Sequence, residues 1–65
     1  MPVIHVDGPH VTDVDRKRAF VRRVTEAAST LFDLPTSTIV VLIKENDPEN
    51  VGVGGDLVID RSLDD

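Results

Sequence analysis

The side chains that could do chemistry in this sequence are few. It holds two histidines and no cysteine, so disulfides and thiolate metal sites are excluded. The acidic residues do not show ligand-like spacing, and we expect no metal site. No arrangement of Ser, His and Asp indicates a nucleophile. His5 lies on the opposite strand face from Pro2 and is predicted to be packed or interfacial, whereas His10 lies in a predicted exposed turn.

The candidate groups for binding an anion are basic side chains. Arg61 could reach a neighbouring chain's site and hold an anionic substrate; the alternative is an exposed arginine paired with Asp60. Lys44 is a weaker candidate of the same kind. The basic cluster of residues 16–23 could bind substrate, but it is more typical of a solvated helix face or an interface.

An alternating segment opens the chain and predicts a first β-strand over residues 2–7. Pro2, Ile4 and Val6 would share one face, with residues 3, 5 and 7 on the other. Gly8 and Pro9 then interrupt the alternation. Any chemistry at Pro2 would therefore be positioned by the start of a strand.

A long amphipathic helix is predicted from about Asp13. Thr12, with Asp15 three residues later, resembles a capping box at its start. Pro35 ends the helix after roughly five turns, or about 30 Å. The apolar stripe of this helix comprises Phe20, Val24, Ala27, Ala28 and Leu31.

The remaining segments predict a second strand and a hairpin. Residues 38–45 are almost continuously apolar, which is typical of a strand buried on both faces. The glycine-rich residues 51–56 predict a tight hairpin, with a closing strand over residues 57–59 and fraying over residues 61–65. This hairpin lacks the Gly-x-x-x-x-Gly-Lys-Ser/Thr pattern of a phosphate loop.

Strand, helix and strand together predict an α/β fold. We expect a single domain over residues 1–65, with one right-handed βαβ unit and a short C-terminal hairpin. One helix covers only one face of a sheet, and two parallel strands alone are not stable in water. A chain of 65 residues without disulfides needs another source of stability, so we predict an obligate oligomer.

Composition argues against several classes of partner. The net charge is −5 and there is no Trp or Tyr, which disfavours nucleic-acid binding. The longest apolar run, residues 39–43, is too short to span a membrane. The first residues also lack the features of a signal peptide, so we expect a cytoplasmic protein.

Three features coincide with a known family. Pro2 follows the initiator Met1 and opens a strand, and residues 33–35 (Asp-Leu-Pro) precede the second strand. Glu45 is then followed by a short loop and by residues 51–55 (Val-Gly-Val-Gly-Gly). Over nearly its whole length, the sequence resembles the short tautomerases of the 4-oxalocrotonate tautomerase family.

This resemblance implies a keto–enol tautomerase without a cofactor, assembled as a homohexamer (a trimer of dimers). It also implies that the secondary amine of Pro2 acts as general base once Met1 has been removed. A free α-amino group titrates near about 8. An apolar pocket or a nearby cation would lower that pKa towards neutrality, as efficient base catalysis requires.

The sequence departs from the family at three positions. Thr12 and Val40 stand where well-known members have arginines that bind substrate carboxylates, and Val51 stands in place of an aromatic residue. These three residues are nevertheless the predicted substrate-binding positions, with Arg61 as the candidate replacement cation.

The leading hypothesis is an isomerase that moves a proton within an enol or α-keto acid, for example 2-hydroxymuconate or phenylenolpyruvate. The alternatives are a non-catalytic oligomeric module of the same fold and a related decarboxylase or hydratase that depends on Pro2.

Overall fold

The structure is a computed structural model, and it describes residues 1–61. Of the residues 61–65 expected to fray, only Arg61 is among the described residues, and its N–H donates to the Val58 carbonyl at 3.0 Å; the others lie outside them. The elements in chain order are β1 (Val3–Gly8), α1 (Val14–Phe32), β2 (Val40–Glu45), β3 (Gly52–Val53) and β4 (Asp56–Leu57). Short 3₁₀ turns cover Thr36–Thr38, Pro48–Asn50 and Val58–Asp60.

Strands β1 and β2 form a parallel pair connected by α1, which confirms the predicted βαβ unit. Their register runs from Val3 opposite Val40 to Gly8 opposite Glu45. The second strand begins at Val40 instead of the predicted Thr38, because Thr38 is the last residue of the 3₁₀ turn Thr36–Thr38. In this turn the Thr38 hydroxyl donates to the Pro35 carbonyl at 2.7 Å.

Helix α1 begins one residue later than the capping-box pattern indicates. Asp13, not Thr12, is the N-cap, and its Oδ1 accepts hydrogen bonds from the N–H groups of Asp15 at 3.0 Å and Arg16 at 3.3 Å. A carboxylate at this position satisfies free N–H groups and also interacts favourably with the helix dipole. The capping box at Thr12 was therefore wrong.

The helix ends before Pro35, as predicted, through a left-handed residue. Asp33 has φ 55°, and the N–H of Leu34 donates to the carbonyl of Ser29 at 3.1 Å. A residue in this conformation turns the chain out of the helix and satisfies a terminal carbonyl. Pro35 then starts the connection to β2.

Only part of the predicted apolar stripe packs against the sheet. Ala28 is 6% exposed and Val24 is half-buried, whereas Leu31 is 76% exposed and Phe20 and Ala27 are also exposed. A helix lying over two strands can bury only its central line of residues. The exposed flank of the stripe is apolar surface that nothing in residues 1–61 covers.

The glycine hairpin forms where it was predicted. Gly54 and Gly55 have φ of 62° and 93° between β3 and β4, and such values favour glycine. The closing strand is shorter than expected, because β4 ends at Leu57 and the chain turns into the 3₁₀ segment Val58–Asp60. This segment is held by the Val58 N–H, which donates to the Val51 carbonyl at 2.8 Å.

The two faces of the β1–β2 sheet differ. Alternate positions along each strand point to opposite faces, and Ile4 and Val6 are half-buried on the face towards α1. The opposite face has no cover within the described residues, and Leu42 there is 50% exposed. We call it the open face; it consists of Val3, His5, Asp7, Val40, Leu42 and Lys44.

Nowhere in residues 1–61 is there a helix long and apolar enough to cross a membrane.

Candidate active site

The predicted base lies at the N-terminal end of the sheet. Pro2 is half-buried and directly precedes β1, and its carbonyl accepts a hydrogen bond from the Val40 N–H at 3.0 Å. The structure thus brings together two of the predicted site residues. We call this pair the proline end. With Met1 attached, the Pro2 nitrogen is an amide, whereas the terminal amine formed on removal of Met1 would be basic.

Two other predicted site residues lie at the opposite end of the sheet. Thr12 follows Val11, whose N–H donates to Glu45 Oε2 at 2.5 Å at the end of β2. Val51 begins the hairpin and, with Gly8 and others, lines an open pocket of about 400 Å³. Strand β1 has six residues, which at about 3.3 Å per residue separate the two ends by roughly 20 Å. The proline end therefore does not meet Thr12 or Val51 within one chain.

Arg61 packs against the hairpin. One of its guanidinium nitrogens, Nη2, donates to the Val53 carbonyl at 3.2 Å. The alternative of an ion pair with Asp60 does not appear among the ion pairs of the described residues. Because the other guanidinium N–H groups make no hydrogen bond within residues 1–61, Arg61 has donors left for an anion.

A polar network at the C-terminal end of β2 is absent from the sequence-based predictions. Glu45, 22% exposed, accepts from Lys17 Nζ through Oε1 and from the Val11 N–H through Oε2. His10 Nδ1 lies 3.1 Å from the same Oε2. The hydrogen bond from Lys17 and then that from Val11 hold the pKa of Glu45 below its ordinary value. We call Glu45 together with Lys17, Val11 and His10 the Glu45 cluster.

Strand and helix periodicity contained the signal for this cluster. Glu45 has the same parity as Val41 and Ile43 in β2, so it points to the helix side. Lys17 lies four residues before the half-buried Val21 and is itself only 28% exposed. A carboxylate and an ammonium group facing each other at inward positions predict an ion pair.

A second open pocket, of about 290 Å³, lies beside this cluster under the first half of α1. Its walls are mostly apolar, with Lys17 and Arg16 among the lining residues. Both cations already have acidic neighbours, since Arg16 Nε lies 3.8 Å from Asp13 Oδ2. The apolar lining residues are Val6, Pro9, Val11, Phe20 and Ile43.

The basic cluster on α1 matches a solvated helix face better than a substrate site. Arg18 Nη1 bonds to Asp15 Oδ1 at 2.7 Å, and both side chains are mostly exposed. Lys44 lies on the open face, which is a candidate interface between chains. No three His, Asp or Glu side chains in the described part of the chain are grouped to hold a metal ion.

Comparison with known protein families identifies the family of this chain. The model of the tautomerase enzymes matches residues 2–61, nearly the whole chain. The chain belongs to the tautomerase family. Solved structures agree: DmpI from Archaeoglobus fulgidus is 47% identical over 91% of this chain and 100% of its own, with a TM-score of 0.82.

Two further tautomerase structures extend the comparison. A 4-oxalocrotonate tautomerase homologue is 32% identical, covers 95% of this chain and 98% of its own, and has a TM-score of 0.85. A heterohexamer 4-oxalocrotonate tautomerase from Chloroflexus aurantiacus has a TM-score of 0.82 over 92% of this chain and 97% of its own, but at 23% identity it shows the fold alone. No curated protein sequence matches the chain.

Proposed function

We propose that this tautomerase is a cofactor-independent isomerase that ketonises the enol form of an α-keto acid, such as phenylenolpyruvate or 2-hydroxymuconate. The secondary amine of Pro2, exposed by removal of Met1, is its general base. The observation that carries the proposal is the family match beginning at residue 2, together with the half-buried position of Pro2 at the start of β1.

The proposed reaction needs only one proton carrier. Neutral Pro2 takes the proton from the enol hydroxyl, and the electron pair of the O–H bond forms the carbonyl while the C=C electrons move to carbon. The prolinium then returns the proton to that carbon, which restores the neutral amine. A free α-amino group has a pKa of about 8. Apolar surroundings disfavour its charged form and lower that value, which leaves more neutral base near pH 7.

The pocket requires more than one chain. Because Thr12 and Val51 lie at the far end of the sheet from Pro2, we infer that neighbouring chains contribute them to the site of Pro2, with Arg61 holding the substrate carboxylate. The uncovered apolar residues of the open face and of α1 support self-association. A homohexamer built as a trimer of dimers is the proposed assembly; the heterohexameric relative has the same fold. The cytoplasmic location stays a prediction.

The test is an ultraviolet ketonisation assay with phenylenolpyruvate and 2-hydroxymuconate. Mass spectrometry first establishes that Met1 is absent from the protein used. Pro2→Ala should lower kcat/KM by about 10²- to 10⁴-fold, the usual contribution of a general base. The matched control is Pro35→Ala, a proline in the α1–β2 connection, which should retain activity. Full activity in Pro2→Ala would overturn the mechanism.

One observation favours a second candidate, a non-catalytic oligomeric module. Thr12, Val40 and Val51 offer neither a cation nor an aromatic ring to a substrate. Such a module would assemble normally, turn over neither enol, and behave identically with and without Met1. Turnover of an unsaturated acid with release of CO₂ or uptake of water would instead identify the decarboxylase or hydratase alternative.

A further inference from the structure

Glu45 connects three separate parts of the chain. It is the last residue of β2, its Oε1 accepts from Lys17 on α1, and its Oε2 lies within bonding distance of the β1–α1 loop at both Val11 and His10. Charge-assisted hydrogen bonds of this kind are stronger than neutral ones. A half-buried carboxylate that accepts from Val11 and Lys17 is a fixed point to which loop, strand and helix are all attached.

The loop between β1 and α1 depends on this attachment. At one end Gly8 accepts a hydrogen bond from the Asn46 N–H at 2.8 Å, and at the other end Asp13 caps the helix. Between these anchors Pro9 has no N–H to donate. The Val11 N–H to Glu45 is the bond that holds the middle of the loop, directly next to Thr12.

We propose that Glu45 is a positioning residue: by holding Val11, His10 and Lys17, it fixes the loop that carries Thr12 in the place from which one chain completes the substrate pocket of another. This inference rests on the proposed function, because it assigns the loop to the pocket of a neighbouring Pro2. It adds a residue that contacts neither the substrate nor the base.

The uncharged side chain of Thr12 gives this role a distinct kinetic signature. Within one chain Pro2 lies roughly 20 Å from Glu45, the length of six strand residues, so the loop acts on the Pro2 of a neighbouring chain. Because Thr12 brings no charge to that amine, a misplaced loop should weaken the binding of the substrate and leave the pKa of the amine unchanged. A general loss of structure would instead lower the amount of active assembly and alter all parameters together.

The experiment compares Glu45→Ala, Glu45→Gln and the control Glu49→Ala in the processed, assembled protein. Glu49 is an exposed carboxylate in the Pro48–Asn50 turn and makes no ion pair within the described residues. For phenylenolpyruvate, we expect Glu45→Ala to raise KM by between about tenfold and a hundredfold, since small misplacements have effects of this size. Glu45→Gln, which keeps one acceptor oxygen, should raise it less. The pKa seen in the pH dependence of kcat/KM should not move.

Amide hydrogen exchange of Val11 provides a readout that does not need turnover. In the wild-type protein this N–H should be protected, and Glu45→Ala should abolish its protection while the amides in the middle of α1 stay protected. A protein without turnover would refute the proposed function, and exchange at Val11 would still decide whether Glu45 holds the loop.

Three kinetic results with the Glu45 and Glu49 variants would overturn the positioning role. These are an unchanged KM in an assembled Glu45→Ala protein, a shift of the Pro2 pKa equal to the change in activity, and an equal rise of KM in Glu49→Ala. Unprotected Val11 in the wild-type protein would also overturn it, whatever the activity. If Glu45→Ala does not assemble, Lys17→Met is used instead; it removes one donor and should raise KM by a smaller factor, and no rise would overturn the role.

Discussion

The two ends of the β1–β2 sheet carry very different chemical groups. The proline end offers a candidate base and one backbone hydrogen bond, from the Val40 N–H to the Pro2 carbonyl. The opposite end holds the Glu45 cluster, the helix cap at Asp13, the hairpin and two open pockets. Under the proposed function, one end would supply the base and the other would supply shape and polar contacts, and a single chain keeps them apart.

This difference follows from the topology of a βαβ unit. Because β1 and β2 are parallel, their N-terminal ends lie at one end of the sheet, and the loops that follow them and the start of α1 lie at the other. A small enol cannot bridge the roughly 20 Å between these two ends. Association of chains is the way in which the proline end of one can meet the loop end of another, so assembly is expected to control activity as strongly as the base does.

The largest expected effect comes from separating the chains while both ends stay intact. Leu42→Asp places a charge on the open face, where Leu42 is 50% exposed in one chain. Burying an unpaired charge in an interface costs several kcal/mol. We expect light scattering to show loss of the oligomer and the ketonisation assay to show almost no turnover, although Pro2 and Glu45 are unchanged.

Thr30→Asp is the matched control for this variant. Thr30 is exposed and lies two residues after the buried Ala28, which turns it about 200° away from the sheet. It should retain assembly and activity. An assembled, active Leu42→Asp protein would show that the open face is not an interface, and an active monomer would show that one chain suffices.

The fold was predictable from the sequence because its signals are local. Alternation gave β1, and the glycine pair at Gly54 and Gly55 gave the hairpin. The errors lie at element ends, where residues compete: Asp13 caps α1 in place of Thr12, and residues 36–38 turn before β2 begins. The exact first residue of a helix or strand depends on how the helix packs on the sheet, and the local sequence does not determine that packing.

The candidate site was less predictable. Pro2 was predicted from its place in the chain and from a family resemblance, not from its surroundings, and its role stays a prediction. The Glu45 cluster was missed because its partners are separated by 28 residues for Lys17 and 34 for Val11. To predict this contact, the alternation of side chains along β2 has to be combined with the helical periodicity of α1. In the proposed assembly, neighbouring chains complete the surroundings of Pro2, and no pattern within one chain determines them.

A smaller effect is expected from a change confined to the loop end. Asp13→Ala removes the side-chain cap of α1 and should lower the free energy of unfolding by about 1 kcal/mol. Thr12→Ala is the matched neighbour and should change it by less than about 0.5 kcal/mol, because Thr12 does not cap the helix. Urea unfolding of both variants at one protein concentration measures the difference. A larger loss of unfolding free energy in Thr12→Ala would show that Thr12, not Asp13, caps the helix.

The smallest effect, and the one that isolates the Glu45 cluster, depends on pH. The pKa of Glu45 is held below its ordinary value of 4.5, chiefly by Lys17 and then by Val11. A carboxylate with a lowered pKa binds fewer protons when folded than when unfolded. Its contribution to stability is therefore complete above the ordinary pKa and is lost as the pH falls through the pKa of the folded state.

Glu45→Gln should therefore be less stable than wild type at about pH 7, and the urea midpoints of the two proteins should converge as the pH falls below 4.5. His10, the other titrating group within reach of Oε2, is replaced by Asn in both proteins as a control. A gap that persists unchanged into acid would mean that the charge of Glu45 does not hold the cluster together.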